Sequence, residues 1–311
     1  MRGAGDSDRQ PLLAVVFARI GPYHDARLRA TEKLFREKAW RVLAVEVARR
    51  DREYQWDVVE KADVYQRITL FETKGRRELA AWDVRSGLWR ELNSHMPTAV
   101  AVPGWSAQAA RSALCWCRRN ERAAILMSDS KRDDMPRKRW KEWIKSRLVA
   151  KCDAALVAGT PQAEYLQELG MRSERIFLGY DVVDNALFAA RTNALRRQAD
   201  RLRQELSLPR VFLLAVARFI WEKNLPRLLS AFHEYSQHVE EPERWSLVIC
   251  GDGELKAQLV AQAEQLNCGN LIWPGFVQID DLPKYYALAS AFILPSLKDT
   301  WGLVVNEAMA S

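Results

Sequence analysis

The chain has 311 residues, 48% apolar and 28% charged, a soluble globular balance that excludes a mainly disordered chain and leaves room for two cores. Its five cysteines are odd in number and form no CxxC pair, which argues against a disulfide framework or zinc site and suits a reducing cytoplasm. The formal charge of +7 is uneven: residues 208–311 hold 8 Lys+Arg against 12 Asp+Glu, net −4, so residues 1–207 hold 39 against 28, net +11. A basic first part implies an acidic partner, whether lipid surface, phosphorylated substrate or nucleic acid.

Short apolar runs at 12–18, 41–47, 64–70, 98–102, 124–127, 154–158 and 175–178 predict strands. Helical spacing fills 25–39, 75–92, 106–120, 137–151 and 161–169 between them, so a parallel sheet covered by helices is expected. An arginine-rich helical segment at 190–206 precedes a fresh strand series at 211–217, 246–250, 270–275 and 291–295. Two doubly wound α/β domains follow, residues 1–187 and 188–311. The longest apolar runs, 12–18 and 211–217, are too short to cross a bilayer, which takes ~20 residues, and no signal-peptide pattern precedes the first.

Ligands of such sheets collect beyond the carboxyl ends of the strands. There, in ARFIWEKN (217–224), Arg218 and Lys223 form a cation pair suited to phosphate, unless Arg218 pairs with Glu222. The glycines of GDGE (251–254) permit close backbone approach, though an ordinary strand-to-helix turn has the same composition. In SLKDTWGLVVNEAM (296–309), Gly302 can feed a helix whose amides at Leu303 and Val304 face an anion. Asp299 and Glu307 can then accept from hydroxyls, a pattern suited to a sugar nucleotide. The alternative is that Thr300 caps this helix and Glu307 lies on its solvent face. Among the histidines only His233 and His238 lie close together, with no carboxylate arranged around them, so no metal site is expected.

The order of these stretches, together with GFVQIDDLPKYYALASAFILPS (275–296) and the acidic pair Asp299 and Glu307 ahead of Ala308–Ala310, resembles the retaining glycosyltransferases of family 4. The resemblance implies the GT-B architecture, two facing Rossmann-like domains. It also implies further strands and a final helix beyond residue 311, so that the second domain is incomplete here. By resemblance, Arg218 and Lys223 neutralise the diphosphate of a UDP- or GDP-sugar, Asp299 contacts the transferred sugar and Glu307 holds the ribose. The backbone at Val277 meets the base, and the loop at Gly21 approaches the donor phosphates. His24 and Asp129 are acceptor-side candidates, although a histidine at position 24 can equally cap the next helix. Asp133 and Asp134 resemble a metal-binding acidic pair, but this architecture uses fixed cations, so no metal or other cofactor is expected. Asp299 stands where the family has glutamate, which shortens its reach by one methylene.

The implied activity is retaining transfer of a hexosyl-type sugar to a glycan or lipid-linked hydroxyl acceptor, in polysaccharide, lipopolysaccharide or glycolipid synthesis. A sugar-nucleotide epimerase and a non-catalytic nucleotide-sugar binder are the alternatives. In RKRWKEWIKSRLVAKC (137–152), Trp140, Ile144 and Leu148 share a helical spacing among cations. The expected arrangement packs that stripe on the sheet with the lysines solvated; the alternative rests it on anionic headgroups at the inner membrane face. Nucleic acid is not expected as a partner, because no recognition module accompanies the charge.

Overall fold

The computed structural model describes residues 10–49, 56–59, 64–73 and 78–311. Its first unit, ending at Val182, runs β1 (Leu12–Phe17), α1 (Pro22–Glu37), β2 (Arg41–Ala48), β3 (Gln66–Phe71), α2 (Ala81–His95), β4 (Ala99–Pro103), α3 (Gln108–Arg119), β5 (Ala123–Ser128), α4 (Arg139–Val149), β6 (Ala154–Val157), α5 (Thr160–Glu168) and β7 (Ile176–Leu178). Every strand expected in this part is present. The helical segment expected at 75–92 begins partly outside the described residues, and its described helix starts at Ala81.

All strands of this sheet are parallel, in the order β3-β2-β1-β4-β5-β6-β7. Helices cover both faces, so the central strands are continuous apolar runs: all six residues of β1, LLAVVF, are buried. The winding direction reverses between β1 and β4. The loops leaving these neighbours therefore diverge and open a crevice at their carboxyl ends.

Glu46 brings a charge into this interior, a carboxylate on β2 with no exposed surface. It accepts from the Ile20 N–H (2.7 Å), the Arg67 guanidinium (2.7 Å) and the Thr69 hydroxyl (2.9 Å). A buried charge is tolerated only when paired and hydrogen-bonded in this way. The bond to Ile20 also fixes the loop that carries Gly21 towards the crevice.

The second unit, Val183–Ser311, comprises α6 (Asn185–Arg196), α7 (Ala199–Glu205), β8 (Phe212–Val216), α8 (Leu225–His238), β9 (Ser246–Cys250), α9 (Lys256–Gln265), β10 (Leu271–Gly275), α10 (Leu282–Leu288), β11 (Ala291–Phe292) and α11 (Leu303–Ala310). α6 packs on α10 and α11, which places the chain from Val183 onward with this unit. The helical run at 190–206 is two helices, and the strand at 291–295 pairs only through Ala291 and Phe292 before Ile293 donates a last bond to the Leu214 carbonyl (2.9 Å). The sheet is again parallel, ordered β10-β9-β8-β11, so its winding reverses between β8 and β11.

The stripe expected to pack α4 on the sheet does not do so. Leu148 packs against the core and Val149 is buried within it, but Trp140 and Ile144 are exposed. The inner face is instead polar: Lys145 Nζ donates to Glu142 (2.8 Å) and to the Tyr165 hydroxyl (2.9 Å), and Tyr165 donates to Glu142 (2.6 Å). Residues 142, 145 and 149 share one side of a 3.6-residue helix, so fixing them inward turns 140, 143, 144 and 147 outward.

Candidate functional site

The second unit's switch point gathers the strongest candidates. Lys223 lies in a short helical turn, Trp221–Lys223, that follows β8, and Asp299 lies in the loop after β11. The two loops are laced together: Leu297 N–H donates to the Glu222 carbonyl (2.8 Å), and Asn224 Nδ2 donates to the Pro295 carbonyl (3.1 Å). Asn224 adopts a left-handed conformation (φ 53°), which turns the chain from that short helical turn into α8. These contacts bring Lys223 Nζ into an ion pair with Asp299 Oδ1. Arg218 is exposed, and no carboxylate pairs with it among the described residues, so the alternative pairing with Glu222 is not formed.

Gly302, also left-handed (φ 83°), opens α11 and packs beside the Asp299 side chain. It replaces the expected alternative of a Thr300 cap. Val305 N–H returns to the Gly302 carbonyl (2.9 Å), and first-turn geometry leaves the Leu303 and Val304 amides without acceptors inside the helix. Asp299 Oδ2, Ser296 Oγ and Trp301 Nε1 are buried with no hydrogen-bond partner among the described residues. Orphaned buried polar atoms are rare in folded proteins, so their concentration on one loop marks a place for polar ligand atoms.

Glu307 departs from the solvent-face alternative. It has no exposed surface, and its Oε2 accepts from the Tyr286 hydroxyl (2.8 Å), so it is not on a solvent face. Tyr286→Phe is expected to cost about 1–3 kcal/mol by leaving this carboxylate under-bonded, read as a lower urea midpoint at unchanged slope. An unchanged midpoint would mean that Glu307 does not depend on this bond.

The glycines of GDGE meet their own chain rather than open space. A Cβ on Gly251 would sit 1.9 Å from the Ala217 carbonyl oxygen, and one on Gly253 would sit 2.6 Å from that of Phe219. The turn therefore lets the ends of β8 and β9 touch, and Phe219 N–H donates to the Asp252 carbonyl (2.8 Å) across them. Val277 lies just beyond β10, half-buried and apart in sequence from the Lys223 and Asp299 loops.

In the first unit, the crevice at the β1/β4 switch point is a cleft of about 460 Å³ lined by His24, Trp105, Asp129, Tyr180 and Asp181, among others. Gly21 starts α1 ahead of Pro22, and its N–H donates to His24 Nδ1 (3.1 Å), so His24 caps the helix while also facing the cleft. Burial, aided by the Arg27 charge, lowers its pKa to about 3, so it is a neutral imidazole at physiological pH. Burial likewise raises the pKa values of Asp129 and Asp181. Asp181 pairs with Arg27 (3.0 Å), which also stacks over the Tyr180 ring at 4.7 Å.

Sequence reading missed Arg27, Tyr180 and Asp181, for which no motif signals a role. Asp133 and Asp134 serve locally: Asp133 pairs with Lys131, and Asp134 accepts from the Lys131 N–H (2.7 Å).

Residues 197–311 match the family Glycosyl transferases group 1. The mannosylfructose-phosphate synthase of Agrobacterium fabrum (strain C58) is 27% identical over 186 residues, covering 55% of this chain and 39% of that protein. The serotype-specific mannosyltransferase WbdA of Escherichia coli is 31% identical over 110 residues, 35% of this chain and 14% of that protein. The chain thus spans less than half the length of these relatives. Among solved structures, Anabaena Alr3699/HepE in complex with UDP and glucose aligns with a TM-score of 0.67 at 13% identity, over 97% of this chain and 78% of that one. The chain accordingly has the GT-B fold of Rossmann-like α/β units, and its second unit carries the match to the group 1 glycosyl transferases.

Proposed function

We propose that the protein transfers a sugar from a nucleoside diphosphate sugar to a hydroxyl acceptor with retention of configuration, in the synthesis of a polysaccharide, lipopolysaccharide or glycolipid. The observation that carries this reading is the meeting of Lys223, Asp299 and the Gly302 opening of α11 at the β8/β11 switch point, with orphaned polar atoms on the same loop. A cation beside free helix amides suits a diphosphate, and unsatisfied carboxylate and hydroxyl oxygens suit sugar hydroxyls. The UDP and glucose bound in the Anabaena structure and the mannosyl transfer named for WbdA support the same class.

In this mechanism Arg218 and Lys223 stabilise the charge that develops on the leaving diphosphate. Asp299, released from Lys223 when the anion binds, accepts from the transferred sugar. The leaving phosphate itself guides the acceptor hydroxyl to the same face of the sugar. Fixed cations do this work, and the reading assigns no metal or other cofactor.

Thermal unfolding with UDP, GDP and ADP tests the donor site. The matching nucleotide at 100 times its Kd is expected to stabilise the protein by ~2.7 kcal/mol, and Arg218→Ala or Lys223→Ala to remove the shift. A cooperative melt that no nucleotide moves would overturn the reading. Nucleoside diphosphate release that requires a hydroxyl acceptor separates transfer from epimerisation, which requires none.

A further inference from the structure

We infer that α4 docks the protein on anionic lipid bilayers, with Trp140, Trp143 and Ile144 inserted at the headgroup boundary and the surrounding cations against the phosphates. This inference does not rest on the proposed activity.

Trp140 and Trp143 are each 60% exposed and Ile144 is 43% exposed, while Met135 just ahead of the helix is 68% exposed. Large apolar side chains scattered singly on a surface need no explanation, but here four fall within ten residues and three share one helix face. The register is not accidental. The Glu142, Lys145 and Tyr165 network and the Arg137 guanidinium, which lies 4.4 Å from the Tyr165 ring centroid, hold the opposite face inward. The tryptophans are thus presented outward by a rigid base.

Charge selects the occupant. Lys138, Arg139, Lys141, Arg147 and Lys151 are exposed around that apolar face, and no carboxylate pairs with them among the described residues. Lys141 and Arg147 lie over the rings of Trp140 and Trp143, at 5.5 and 5.0 Å from the centroids. An acidic protein surface or a nucleic acid would satisfy the cations but offers no apolar layer for Ile144 and Met135. A bilayer boundary offers both, and tryptophan with basic residues is the composition that favours it. The helix is far too short to span, and no described helix is long and apolar enough to cross a membrane, so it lies in the plane of the surface.

The test is flotation of the full chain with vesicles of equal parts phosphatidylglycerol and phosphatidylcholine, and with phosphatidylcholine alone. Binding is expected only to the anionic vesicles and is expected to weaken at high salt. The double substitution Trp140→Ala, Trp143→Ala should lower partition by roughly ten-fold or more, since apolar area no longer enters the boundary. Lys141→Gln with Arg147→Gln should lower it by roughly five-fold per charge. Trp82→Ala, at an exposed tryptophan on α2, should leave it unchanged. Because all these side chains face solvent, the thermal melts should coincide with that of the parent chain. Failure to float with anionic vesicles, or flotation indifferent to the tryptophan pair, would overturn the inference. So would salt-sensitive binding to a single-stranded oligonucleotide with no binding to vesicles, which would make the patch a nucleic-acid surface.

Discussion

Gly251→Ala is expected to destabilise the second unit by roughly 4 kcal/mol or more, enough to unfold a marginal domain. The new Cβ would lie 1.9 Å from the Ala217 carbonyl oxygen and 3.0 Å from both the Ala217 carbonyl carbon and the Phe219 ring. Its φ of 147° is a conformation that only glycine adopts readily, a strain of about 1–3 kcal/mol before any clash is counted. Backbone retreat is blocked, because Gly251 N–H donates to the Gly275 carbonyl (2.7 Å) and Ala217 N–H to the Cys250 carbonyl (3.0 Å). Relieving the clash would therefore pull β8 from β9 or β9 from β10 at their carboxyl ends. Urea unfolding measures the cost, with Gly269→Ala as the control, since a Cβ there meets nothing within 4 Å and its φ lies outside the positive range. A Gly251→Ala protein within about 1 kcal/mol of its parent would show that the strand ends separate easily and that the close approach is not structural.

Lys223→Ala is expected to lower the rate of sugar transfer by a factor of about 10²–10³, the loss typical of removing one preorganised electrostatic contact from a developing charge. The effect should fall on KM as well as kcat, because Lys223 meets the diphosphate in the bound donor and its charge grows towards the transition state. The same substitution leaves Asp299, four-fifths buried, without its cation, so a stability loss is expected as well. Asp299→Asn separates the two effects. It removes the ion pair but leaves Lys223 free to meet the diphosphate, so it should retain the nucleotide-induced melting shift that Lys223→Ala loses. A Lys223→Ala enzyme with kcat and KM within two-fold of the parent would remove Lys223 from the chemistry and leave it a partner of Asp299 alone.

The two predictions draw on different layers of the chain. That β8, β9, β10 and β11 exist, and that turns with glycine and charge follow them, could be read from apolar runs and their spacing, since a strand buried on both faces must be continuous in apolar residues. The alternation through the first 182 residues was equally legible, and with it the parallel sheet. The candidates Arg218, Lys223, Asp299 and Gly302 were visible as well, because each directly follows such a strand or opens the helix after it.

What needed the tertiary structure is contact between residues remote in sequence. Lys223 and Asp299 lie 76 residues apart and pair because the order β10-β9-β8-β11 sets their strands side by side. Glu307 is buried rather than exposed because Tyr286, 21 residues earlier, lies against it. The GDGE glycines accommodate the chain's own backbone at Ala217 and Phe219, which no local rule distinguishes from a glycine kept clear for a ligand. On α4 the periodicity correctly marked a helix but not its inward face, because hydrophobicity alone assigned Trp140 and Ile144 to the core. A polar network with Tyr165 on the next helix outweighed that preference, since buried hydrogen-bonding groups must be satisfied by partners while an exposed tryptophan has only a modest cost to bear. Local sequence thus sufficed for the elements and the chemistry they carry, and the packing of distant elements chose which groups meet and which face outward.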